Sequence, residues 1–197
     1  MNTDNGFSSF VETISAHKDV MADIADAGLE AADKIPFFGW AVKAWNIKNT
    51  FQEKKLSRNI VEFLEYSSVD DAKKFIAKFS SEEEREELCD SLIQVLIDSE
   101  KPLKAKLTSK IINAIYEERL TVSEAHHLLL IILNASIPAL EAIDKFYQNN
   151  PKGYTRTLNE DASTYGPLLM SIGVLYVHGD MTRVTELGKK LYENAFV

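Results

Sequence analysis

Thr121-Val122-Ser123-Glu124-Ala125-His126-His127-Leu128-Leu129-Leu130-Ile131-Ile132-Leu133 decides how this chain is read. Thr121 followed three residues later by Glu124 is a capping box: the hydroxyl accepts from the Glu124 N–H while the carboxylate reaches back to the Thr121 N–H. A helix therefore opens here. It continues into six consecutive apolar residues, Leu128 to Leu133. That is far short of the roughly 20 needed to cross a bilayer, so the run predicts a helix in the centre of a helical bundle. The same stretch holds the clustered metal-capable side chains Glu124, His126 and His127. Glu124 and His127 have the Glu-x-x-His spacing of di-iron bundles, which need a second such motif and further glutamates on facing helices. No second motif occurs. Glu124 is read as the cap residue and the histidines as first-turn residues at the bundle edge, with neither metal nor cofactor expected.

The pattern repeats on both sides of this helix. Phe7, Phe10, Val11, Ile14, Val20, Met21 and Ile24 give a first amphipathic helix to about Lys34, interrupted by Pro36. Trp40, Ala44, Ile47, Phe51, Leu56, Ile60, Phe63 and Leu64 trace a second, ending near Tyr66. Ser68 with Asp71 opens a short helix, and Ser80 with Glu83, or Ser81 with Glu84, caps one that buries Leu88, Leu92, Val95 and Leu96. Pro102 suits the first turn of a helix burying Leu103, Leu107, Ile111, Ile112 and Ile115, and Pro138 restarts the chain for Leu140, Ile143, Phe146 and Tyr147.

Asn149 to Thr164 has no apolar period and reads as a linker. Beyond it Tyr165 to Ile172 forms a short helix capped by Gly173, and Val174 to Val177 a strand. His178-Gly179-Asp180 makes a turn, Arg183 and Val184 return, and Thr185 caps a last helix. A continuous helix through this region is the rival reading. The fold expected is mostly α: a bundle of about seven helices over residues 1–148, a linker over 149–164, and a helix–hairpin–helix appendage of winged order over 165–197, packed on the bundle.

At 197 residues the chain is long enough to bury a core without metal or disulfide staples. Its single cysteine, Cys89, falls on the apolar side of a helix, where a small buried hydrophobe is expected. Met1 to Gly6 shows neither a basic nor an apolar signal region, so a cytoplasmic protein is expected. The net charge of −8 repels nucleic acid from the chain as a whole, and a phosphate backbone would have to be met by a local patch. In the winged module Arg183, Lys189 and Lys190 would form that patch, but residues 150–197 balance five basic against five acidic side chains. Glu82, Glu83, Glu84, Glu86 and Glu87 are read as a solvated face opening a helix, favoured there by its dipole. No phosphate loop, dinucleotide fingerprint or nucleophile elbow is found, so no catalytic site is expected.

A candidate interaction surface is the stretch from Phe37 to Lys48, where Phe37, Phe38, Trp40 and Trp45 accompany Lys43 and Lys48. Aromatics on one face and lysines on the other build an interfacial membrane helix, a partner-binding helix or a core helix alike.

Ile35-Pro36-Phe37-Phe38-Gly39, Lys54-Lys55, Phe63-Leu64, the acidic helix ending in Leu92 to Ile97, Glu118-Arg119-Leu120 and Thr185-Glu186-Leu187-Gly188 together resemble a loose group of bacterial and mobile-element all-helical proteins. That group has an Ile-Pro-x-x-Gly stretch and a Lys-Lys pair before a Phe-Leu helix, and carries no assigned activity. The resemblance implies a non-housekeeping role, in regulation or in conflict between phage and host. The expectation is a non-enzymatic protein that binds another protein, with peripheral membrane contact and homo-oligomerisation as further options and nucleic acid disfavoured.

Overall fold

Leu56, Ile60 and Phe63 recur at helical spacing and all turn inward, so the first described helix already contributes to the core. The computed structural model describes residues 50–69 and 72–197. Six helices come first: α1 (Thr50–Glu65), α2 (Ala72–Ile76), α3 (Glu82–Asp98), α4 (Pro102–Tyr116), α5 (Val122–Asn134) and α6 (Ile137–Asn149). Then follow β1 (Tyr154–Arg156), α7 (Glu160–Ser171), β2 (Leu175–His178), β3 (Met181–Val184) and α8 (Glu186–Ala195). The expected helix over Phe7 to Lys34 and the first part of the one reaching Tyr66 lie outside the described residues; α1 ends at Glu65.

The helix starts follow the sequence signals. Ser81 rather than Ser80 caps α3, accepting from the Glu84 N–H at 3.1 Å, and the Glu84 carboxylate accepts from the Ser80 N–H at 2.7 Å. The Thr121–Glu124 box is complete, with both bonds present. Ser136 caps α6, with Pro138 in its first turn where a missing N–H costs nothing.

The centre of the bundle is α4, not the apolar α5. Leu107, Ile111, Ile112 and Ile115 are buried, and so are Thr108, Ser109 and Asn113, because α4 packs against α1, α3, α5 and α8. In α5 Leu128, Leu129 and Ile132 are buried, but Leu130 is 39% exposed. The sequence of α4 hides its depth because its lysines reach outward along apolar stems. Lys104 Nζ donates to the Leu133 carbonyl at 2.6 Å, and Lys106 Nζ lies 4.4 Å from the centre of the Tyr66 ring. Two of these buried polar groups are paired, Ser109 Oγ donating to the Phe63 carbonyl (2.7 Å) and Asn113 Nδ2 to that of Tyr66 (2.7 Å), whereas the Thr108 hydroxyl has no partner among the described residues. Asn59, fully buried on α1, likewise donates at 2.8 Å to the carbonyls of Leu96 and Ser99, closing the C-terminal end of α3.

At the C-terminal end a three-stranded antiparallel sheet runs in the order β1-β3-β2. The hairpin expected at 174–184 is present, with Gly179 at φ 62° first in its two-residue turn, as a type II′ turn requires. The stretch expected as a linker is corrected: 149–164 contains β1, the cap Asn159 and the first turn of α7, which begins at Glu160 rather than near Tyr165. Asn149 and Asn150 both donate to the Asp161 carboxylate (2.8 and 3.0 Å), fastening this stretch to α6. The physical reason for the difference is non-local. A strand of three residues has no readable period, and β1 forms because β3 offers it a ladder: Tyr154 faces Arg183, Thr155 faces Thr182 and Arg156 faces Met181. Gly188 of α8 then comes so close to the sheet that a Cβ there would lie 2.6 Å from the Val174 carbonyl oxygen.

Candidate functional site

The sequence-derived surface Phe37, Phe38, Trp40, Lys43, Trp45 and Lys48 lies outside the described residues. Glu124, His126 and His127, the clustered metal-capable residues of the sequence, each have a structural partner. Besides its cap bonds, the Glu124 carboxylate receives Lys190 Nζ from α8. The Lys190 ammonium and the Thr121 N–H hold its pKa at about 2, well below the usual carboxylate range. His126 Nε2 is 3.0 Å from the Ser91 hydroxyl of α3, and His127 Nδ1 is 2.8 Å from the Ser123 carbonyl within its own helix. Their rings point apart, with centroids 6.5 Å from one another. Among the described residues no three His, Cys, Asp or Glu side chains converge as a metal site would need. Cys89 is buried on the inner side of α3.

The winged order of the C-terminal module does not bring its expected cations together. Lys190 is engaged with Glu124, Lys189 lies 3.9 Å from Glu193, and Arg183 stands on the sheet. Helix α7, which precedes the hairpin, carries Glu160 and Asp161 and no basic residue.

What the structure assembles instead is a sheet face that no contiguous stretch of sequence displays. Side chains alternate across a strand, so Leu175, Thr182 and Thr155 turn to the helices and are buried. The opposite positions form two cross-strand rows, Tyr154–Arg183–Tyr176 and Arg156–Met181–His178. Tyr154 is 45% and Tyr176 44% exposed, and Arg156, Arg183 and His178 are exposed as well. Neither row contains a carboxylate, and among the described residues neither arginine is held in an ion pair. The signal was present as three period-two fragments, Tyr-Thr-Arg, Tyr-Val-His and Met-Thr-Arg, but their shared face depends on the register.

A second exposed face has the opposite sign. Along α3 the inward stripe Leu88, Leu92, Val95 and Leu96 leaves Glu82, Glu83, Glu86, Glu87, Asp90 and Asp98 exposed. Between α4, α6 and the end of α8 runs an open groove floored by Leu103, Leu107 and Phe196 and walled by Lys106, Lys110, Glu141, Asp144 and Lys145. Burial, then the nearby Lys106 and Arg119 charges, lower the pKa of Lys110. The groove's mixed charge selects no ligand sign.

No protein-family model, curated protein or solved structure matches the chain. Among the described residues no single helix is long and apolar enough to cross a membrane.

Proposed function

We propose that this chain is a non-enzymatic interaction protein that binds another protein and alters its activity. The observation that carries the reading is the outer face of α3, an acidic strip from Glu82 to Asp90 on a helix whose other side is locked into the core. A face of one sign steers encounter with a complementary partner and suppresses wrong ones, so the partner expected is basic. The reading is also supported by the way Glu124, His126, His127 and Cys89 are tied into caps, hydrogen bonds and core. The bacterial resemblance in the sequence gives this activity its setting, in regulation or phage–host conflict within the cytoplasm.

The triple substitution Glu83→Lys/Glu87→Lys/Asp90→Lys reverses the strip at exposed positions. Its effect on stability should stay within about 1 kcal/mol. A basic protein retained on the immobilised wild-type chain at physiological salt, identified, and bound again when purified, is expected to be lost by the variant. Retention unchanged by the triple substitution, or catalytic turnover that disappears with Glu124→Gln or His127→Ala, rejects the reading.

A further inference from the structure

We infer that the outer face of the sheet binds single-stranded nucleic acid, with bases stacked on Tyr154 and Tyr176 and phosphates met by Arg183 and Arg156. The face offers flat aromatic surfaces and positive charge together, in fixed register. Arg183 lies directly between the tyrosines, opposite Tyr154 on one side and Tyr176 on the other. Neighbouring strands are about 4.8 Å apart, so the backbone positions of Tyr154 and Tyr176 stand roughly 10 Å apart with Arg183 between them. A strand laid across the sheet would stack on one ring, present a phosphate to Arg183 and stack on the other. The second row adds the cation Arg156, with Met181 and His178 beside it, and the residue that precedes Met181 in the hairpin turn is the acid Asp180.

The chemistry distinguishes this occupant from its rivals. Stacking on aromatic side chains tolerates every base because each has a π-face, and the arginines contribute the salt-sensitive part. A duplex hides its base faces, and the helix that would enter a groove, α7, offers Glu160 and Asp161 without a cation. An acidic peptide would use the arginines but gain nothing from the flat faces of the tyrosines. The net charge of −8 does not oppose a local contact of this kind, because charges beyond about 10 Å are screened at ordinary salt.

The test is fluorescence anisotropy of the full-length chain with labelled oligo(dT) and oligo(rU) of about 12 nucleotides, a length in the range such platforms cover. Measured at about 50 mM salt, both are expected to bind saturably and to weaken as salt rises. Tyr154→Leu and Tyr176→Leu, which keep bulk at exposed positions without a π-face, should each weaken binding about tenfold, whereas Tyr154→Phe and Tyr176→Phe should retain it. Arg183→Gln should lower the salt slope by about one. Thermal melts of all variants are compared, so that a folding defect is separated from lost contact. The proposal is overturned if neither oligonucleotide binds, if the Leu variants bind as the wild type does, or if a poly-glutamate peptide displaces the oligonucleotide equally well. Tighter binding to duplex DNA overturns it too.

Discussion

The acidic face of α3 and the aromatic, basic face of the sheet are both exposed, but they are made in different ways. The first is one helix, and its residues are neighbours in sequence: any helix with Leu88, Leu92, Val95 and Leu96 inside must put Glu83, Glu87 and Asp90 outside. The second draws on three strands separated by α7 and a turn, and it exists only because β3 pairs with both β1 and β2. Counting charge over residues 150–197 gives balance, yet the pleat sorts Arg156, Arg183 and His178 to one side. Composition averages over faces that the fold keeps apart.

The seam between the bundle and the sheet module is where this contrast can be broken. The largest effect is expected from Gly188→Ala. The added Cβ would meet the Val174 carbonyl oxygen at 2.6 Å and Val174 and Val184 side-chain carbons at 3.0 Å, so α8 and the sheet must separate. A cost of about 2–3 kcal/mol in denaturant unfolding is expected. Loss of protection in β2 and β3 by hydrogen exchange should precede any loss in α3. Equal loss in both would show that the two regions unfold as one unit and that the contrast has no energetic counterpart.

An intermediate effect comes from acid. Because the folded-state pKa of Glu124 is depressed from 4.5 to about 2, its contribution to stability is present above about pH 4.5 and is lost as the pH falls toward 2. The carboxylate is partly solvated, at 33% side-chain exposure, so after screening the cap and the Lys190 bridge together contribute about 1 kcal/mol. Glu124→Gln should lower stability by that amount at pH 7 and by less at pH 3, read from urea melts at both values. A difference that grows on acidification would reverse the assigned sign.

The smallest expected change sharpens the seam. Tyr147 of α6 stacks on Tyr192 of α8 with ring centroids 3.9 Å apart, and its buried hydroxyl has no hydrogen-bond partner. Burial, then the Glu193 charge, raises the pKa of that phenol. Tyr147→Phe keeps the stack and removes the unsatisfied group, so a gain of up to about 1 kcal/mol in thermal or urea unfolding is expected. A loss would mean that the hydroxyl has a bonding partner after all.

Much of the architecture was legible because its causes are local. Thr121 and Glu124 sit three apart and form their box; Gly179 marks its turn. The depth of α4 was not legible, since Lys104, Lys106 and Lys110 imitate a solvent face until Leu133, Tyr66 and Val197 are found to receive them. Nor was β1, whose three residues are a strand by virtue of β3 alone. The proposed sheet surface went unread for the same reason, while the aromatic stretch from Phe37 to Lys48 that the sequence singled out lies outside the described residues.

By itself the amino-acid order determined where α3, α5, α6 and α8 start, which stripe of each bundle helix is apolar and that the chain carries an excess of acid. These follow from backbone capping, a 3.6-residue period and simple charge, all of which act over a few residues. Tertiary structure alone decided which helix is innermost and which side chains share the open side of the sheet. Those outcomes depend on register and on packing between segments far apart in sequence, where a shift of one residue in pairing would turn Tyr154, Tyr176 and Arg183 inward.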